Sequence, residues 1–107
     1  MRSQSDTDRG SIVDDMLEQL ETIIADRRRN PVPGSYTNRL FEAGRDKITQ
    51  KVGEEAVEVL IAALRENRDE QLDELADMFY HTLVLMVELD ISLDDLKRRL
   101  RERHQPR

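Results

Sequence analysis

Four acidic residues pose the first question. Glu55 and Glu58 lie three apart in KVGEEAVEVLIAAL (51–64), and Glu74 and Asp77 lie three apart in DELADMFYH (73–81). On a helix, residues three apart share a face. At about 100° per residue, Glu55 falls within roughly 20° of Ile48, inside an apolar sector that also holds Val52 and Val59. Glu58 and Glu54 fan away from it, and Lys47 and Lys51 share their edge. Fifteen residues separate Glu58 from Glu74, enough for the end of one helix, a short loop and the first turn of the next. An antiparallel hairpin would bring Glu55 and Glu58 level with Glu74 and Asp77.

An isolated carboxylate near a core costs on the order of several kcal/mol, and a cluster adds self-repulsion. A cation must compensate. The chain has no Cys, so the donors are oxygens, and Mg²⁺ or Mn²⁺ suits them better than Zn²⁺. Such a site points towards nucleotide or phosphate chemistry. The simpler alternative is that Lys47 and Lys51 neutralise Glu54, Glu55 and Glu58 by i, i+3 and i, i+4 pairing, on faces that carry acidic pairs by chance. A di-iron site needs Glu three residues before His. Met78 and Arg101 stand there instead, before His81 and His104. His81 reads first as a hydrogen-bonded core histidine, with a ligand role second.

The elements that must position these groups are helical. Ser11 with Asp14 is a capping signal, and Ile12, Met16, Leu20, Ile23 and Ile24 place a helix at about 12–29. NPVPGS stops it. SYTNRLFEAG, from Ser35, is either one or two helical turns closed by Gly44 or an ordered loop. The next helix runs from about Asp46 to Glu66, and a third begins near Asp69 with Leu72, Leu75, Ala76, Phe79, Leu83 and Met86 on one stripe. Its segment from Met78 to Val87 is apolar nearly all round, which favours a subunit interface. Ser92 with Asp95 opens a short last helix, where Arg98, Arg99, Arg101 and Arg103 line a solvated face. Phe41 and Phe79 read as core, and Tyr36 and Tyr80 each need a polar partner if buried. The expectation is an all-α bundle of four to five helices around an antiparallel hairpin, completed by oligomerisation. Residues 1–10 read as a disordered tail and 11–107 as one domain.

The 107 residues suit a single core. Charged residues make up 37% and aromatics 4%, a balance that fits helices better than a β sandwich. A net charge of −6 argues against a nucleic-acid partner. The lack of Cys fits a reducing cytoplasm, and no apolar run approaches the roughly 20 residues that span a bilayer.

SYTNRLFEAG, then KITQKVGEEAVEV, then DELADMFYHTLVLM, in this order and spacing over about residues 15–100, resemble the phosphoribosyl-ATP pyrophosphatases of histidine biosynthesis. The paired acidic motifs also fit the wider all-α nucleotide pyrophosphohydrolases of MazG type. The resemblance implies Mg²⁺-dependent hydrolysis of phosphoribosyl-ATP to phosphoribosyl-AMP and pyrophosphate, in a stand-alone form that assembles as a homodimer or higher homo-oligomer. It implies Glu55, Glu58, Glu74 and Asp77 as metal ligands, with Glu54 a further ligand or the base for the attacking water. Lys47 and Lys51 would neutralise phosphate charge, and Ser35, Tyr36 and Thr37 would contact the nucleotide or its phosphoribosyl group. Two alternatives remain: a MazG-type enzyme acting on ordinary nucleoside triphosphates, and a non-catalytic helical module whose acidic edge docks a basic partner.

Overall fold

A computed structural model describes residues 15–105, and among them five helices and no strand. They are α1 (Met16–Arg29), α2 (Tyr36–Ala43), α3 (Arg45–Ala63), α4 (Arg68–Glu88) and α5 (Leu93–Arg103). The expected tail and the Ser11–Asp14 cap lie outside the described residues. The fold is the expected all-α bundle.

The ambiguous SYTNRLFEAG segment is a helix with both ends marked. Ser35 caps it by accepting from Asn38 N, and Gly44, with φ 97°, closes it. That left-handed backbone suits glycine, and the same residue opens α3. The α3 helix ends three residues before the expected Glu66. Asn67 caps α4 with extended backbone and a side chain that accepts from Glu70 N, so residues 64–67 must leave the helix to make the link. A connection this short forces α3 and α4 antiparallel, and they share the most extensive helix contact in the chain. The Ser92–Asp95 capping box is formed in both directions at the start of α5.

The core is built at one end of this hairpin. Ile24, Leu40, Ile48, Leu83, Val84 and Leu93 are buried together, with Leu20, Phe41, Tyr80, Met86 and Val87 packed around them. The α1–α2 layer thus covers the start of α3 and the end of α4. Within the segment from Met78 to Val87, His81, Leu83 and Val84 are buried, and the rest is partly covered or exposed. One expectation is corrected. Leu72, Leu75, Ala76 and Phe79, expected on a core stripe, are exposed, Phe79 by 50%. The reason is length: α4 extends beyond the layer that packs on it, so, among the described residues, the first half of its apolar stripe is flanked by α3 alone and is not covered by α1 or α2. Val57, Leu60, Ile61 and Leu64 of α3 are exposed as well.

One buried polar residue ties the α1–α2 corner together. Asn38 accepts from Val32 N at 2.8 Å and donates to the Arg27 carbonyl at 2.6 Å. It thereby fixes the turn that delivers Ser35, Tyr36 and Thr37. Removing it leaves a part-buried N–H and a part-buried carbonyl without these partners. Asn38→Ala is therefore expected to lower the unfolding free energy by about 2 kcal/mol, read from urea denaturation.

Candidate active site

The hairpin brings together carboxylates that are distant in sequence. Oxygens of Glu55 on α3 and of Glu74 and Asp77 on α4 all lie within 4.8 Å of one another. Glu55 keeps only 15% of its side chain exposed, as its place in the apolar sector requires. Glu58, the fourth expected member, lies outside this group and is exposed. It still acts on it: Glu74 is pushed above the ordinary carboxylate range, first by desolvation, then by the charges of Glu58, Asp77, Glu55 and Glu70. A carboxyl that gains affinity for a proton first from desolvation and then from neighbouring negative charge would favour a bound cation for the same reasons. The donor set is all carboxylate oxygen, so the residues fit a hard divalent cation.

Glu54 points elsewhere. The Gln50 amide, 2.8 Å from its Oε2, holds it below the usual carboxylate range, with help from Lys51 and Lys47 against desolvation. Lys51 sits 3.5 Å from Glu54 and 3.7 Å from Glu55. Desolvation lowers its proton affinity, yet Tyr36, Glu54 and Glu55 outweigh that and hold it above the ordinary lysine range. The pairing expected of Lys51 is present, whereas Lys47 is exposed at the edge. One lysine between two glutamates leaves the charges of Glu74 and Asp77 unmatched.

The SYT segment meets α4 beside this cluster. Tyr36 and His81 are joined by a 3.0 Å bond from hydroxyl to Nε2, and Thr37 and Tyr80 by a hydroxyl–hydroxyl bond. The Tyr36 and Tyr80 rings stack at 6.2 Å, and the Arg39 guanidinium lies 5.4 Å from the Tyr36 ring. His81 is buried and hydrogen-bonded, as read from the sequence. Both tyrosines have the polar partners expected of them. Gln50 and Arg39 were not anticipated. Gln50 was legible as an i, i+4 partner of Glu54, but nothing local marks Arg39.

The raised affinity of Glu74 has a consequence for stability. A carboxyl that binds its proton more tightly when folded stabilises the fold while protonated, and that contribution is lost as pH rises through its folded pKa. Without divalent cations, Glu74→Gln is therefore expected to melt higher than the native chain at neutral pH. The difference should vanish as pH falls below the carboxylate range, as read by thermal melts in chelator.

The family model for phosphoribosyl-ATP pyrophosphohydrolase matches residues 17–104. A phosphoribosyl-ATP pyrophosphatase of Clostridium acetobutylicum is 46% identical over 91 residues, covering 85% of this chain and 83% of that protein. One from Clostridium botulinum is 49% identical over 90 residues, covering 84% and 82%. The histidine biosynthesis bifunctional protein HisIE of Caldanaerobacter subterraneus is 48% identical over 91 residues, covering 85% of this chain and 44% of its own length. With a family match over nearly all of the described residues and relatives at 46% and 49% identity, the chain belongs to the phosphoribosyl-ATP pyrophosphohydrolase family.

Proposed function

We propose that the chain hydrolyses the α–β phosphoanhydride of phosphoribosyl-ATP, giving phosphoribosyl-AMP and pyrophosphate, the second step of L-histidine biosynthesis, in the cytoplasm. The observation that carries this reading is the convergence of Glu55, Glu74 and Asp77 in a chain whose relatives are named for that reaction. Water attacks phosphorus, the bridging P–O bond breaks, and pyrophosphate leaves.

Glu55, Glu74 and Asp77 would hold Mg²⁺, or Mn²⁺ in its place, with Glu58 closing the site once charge is neutralised. Bound there, the cation would polarise the anhydride and stabilise the leaving pyrophosphate. Lys51, and Lys47 at the rim, donate to phosphate oxygens. Glu54, which Gln50 holds away from the cluster, would turn in to accept a proton of the attacking water or to join the ligands. Ser35, Tyr36 and Thr37 face the nucleotide. A MazG-type preference for ordinary nucleoside triphosphates is the competing outcome. Pyrophosphate release from phosphoribosyl-ATP, run beside a nucleoside triphosphate panel, decides between them: turnover of the panel alone would sink this reading.

Two outcomes follow. Mg²⁺ at about 100 times its dissociation constant should raise the melting temperature by roughly 10 °C by mass action. Asp77→Asn should abolish that rise and lower kcat/KM at least about 100-fold.

The exposed face of the hairpin, from Val57 to Leu64 and from Leu72 to Phe79, is read as the interface of a homodimer or higher homo-oligomer. Sedimentation should find the native chain self-associated at micromolar concentration. Phe79→Glu, which places charge in that face, should shift it towards monomer.

A further inference from the structure

His81 holds more information than its burial. Its Nδ1 lies 2.8 Å from the backbone carbonyl of Asp77, and a carbonyl oxygen only accepts. Nδ1 therefore carries the proton. In the neutral imidazole Nε2 is then an acceptor, and its partner at 3.0 Å is the Tyr36 hydroxyl. The Tyr36 proton must point at His81, which leaves only lone pairs on the outward side of the phenolic oxygen. That side is reachable: Tyr36 is 40% exposed, and it is among the groups that act on the charge of Lys51. An oxygen with only lone pairs to offer repels a phosphate oxygen and attracts an O–H or N–H.

We propose that His81 is a positioning residue that makes the Tyr36 hydroxyl an acceptor, so that Tyr36 selects a hydrogen-bond donor on the ribosyl or base part of the substrate and contacts no phosphate. The inference rests on the phosphoribosyl-ATP reading and deepens it. It divides the site chemically: Lys51 and Lys47 supply donors for phosphate, and Tyr36, aligned through His81, supplies an acceptor for the nucleoside. The Thr37–Tyr80 bond and the stacked tyrosine rings hold the same two elements together, so the acceptor stands in a fixed place.

His81→Asn isolates the role, because the asparagine amide can still donate to the Asp77 carbonyl while the Nε2 acceptor is gone. Tyr36→Phe removes the hydroxyl at an exposed position that the core does not need. Each variant should raise KM for phosphoribosyl-ATP about 3- to 10-fold, the worth of one hydrogen bond, with kcat within about twofold of native. The double variant should be no worse than Tyr36→Phe alone, since His81 acts through Tyr36. Competitive inhibition by inorganic pyrophosphate, which offers phosphate and no nucleoside, should be unchanged in all three. Multiplying effects in the double variant, pyrophosphate inhibition weakened in step with KM, or lowered melting temperature with KM unchanged would each overturn the inference. Absence of phosphoribosyl-ATP turnover by the native chain overturns both it and the proposed function. Normal native turnover with unaltered variants overturns the inference alone.

Discussion

Two helices joined by residues 64–67 have no choice but to lie antiparallel, and that pairing decides which side chains meet. It sets the middle of α3 opposite the first half of α4, so Glu55 faces Glu74 and Asp77. Each helix alone carries an ordinary acidic face, open to water and inexpensive. Together they put three carboxylates within a few ångströms, with a single well-placed lysine, Lys51, on one side only. The packing energy of the hairpin holds groups that repel one another, and the raised proton affinity of Glu74 reflects desolvation first and that repulsion second. The cluster is made by tertiary packing working against local electrostatics.

Where the cluster sits along the hairpin is equally constrained. Ile48, Leu83 and Val84 belong to the covered end, and Val57, Leu60, Leu72 and Phe79 to the uncovered one. On α3, Glu55 lies between the two; on α4, Glu74 and Asp77 fall within the uncovered half, short of Leu83. Deeper in the covered end, desolvation of three carboxylates would exceed what a cation returns. On a fully solvated face their charges would be screened, and their side chains would lack a rigid mounting. There the paired helices give a firm mounting on one side and leave Asp77 open to solvent on the other.

Much of this was legible in the sequence because it depends on local chemistry. Ser35, Gly44, Asn67 and the Ser92–Asp95 pair mark helix ends through backbone hydrogen bonding and φ preference, which neighbours in sequence settle by themselves. The inward position of Glu55 follows from helical periodicity. What could not be read depends on lengths and directions in three dimensions. The stripe through Leu72, Leu75 and Phe79 is apolar whichever partner covers it, so periodicity cannot say that α1 and α2 stop short of it. Glu58 has the right spacing but sits at the edge of the seam, where a wheel cannot separate facing from flanking. Asn38 looks like any polar residue of an amphipathic turn, since its partners lie at Val32 and at Arg27.

The parts are kept in mutual alignment by hydrogen bonds to backbone, which do not depend on flexible charged chains. Asn38 pins the chain between α1 and α2, Ser35 caps the helix that follows, and Tyr36, in its first turn, reaches His81. His81 in turn donates to the carbonyl of Asp77, a residue whose side chain belongs to the carboxylate cluster. The Tyr36–His81 pair and the carboxylate cluster are therefore referred to the same residue of α4, one through its main chain and one through its side chain. A shift of α2 relative to α4 would break the Tyr36–His81 and Thr37–Tyr80 bonds together before it moved any carboxylate. The tyrosine pair is thus mounted on the main chain of α4, independently of where the carboxylate side chains swing.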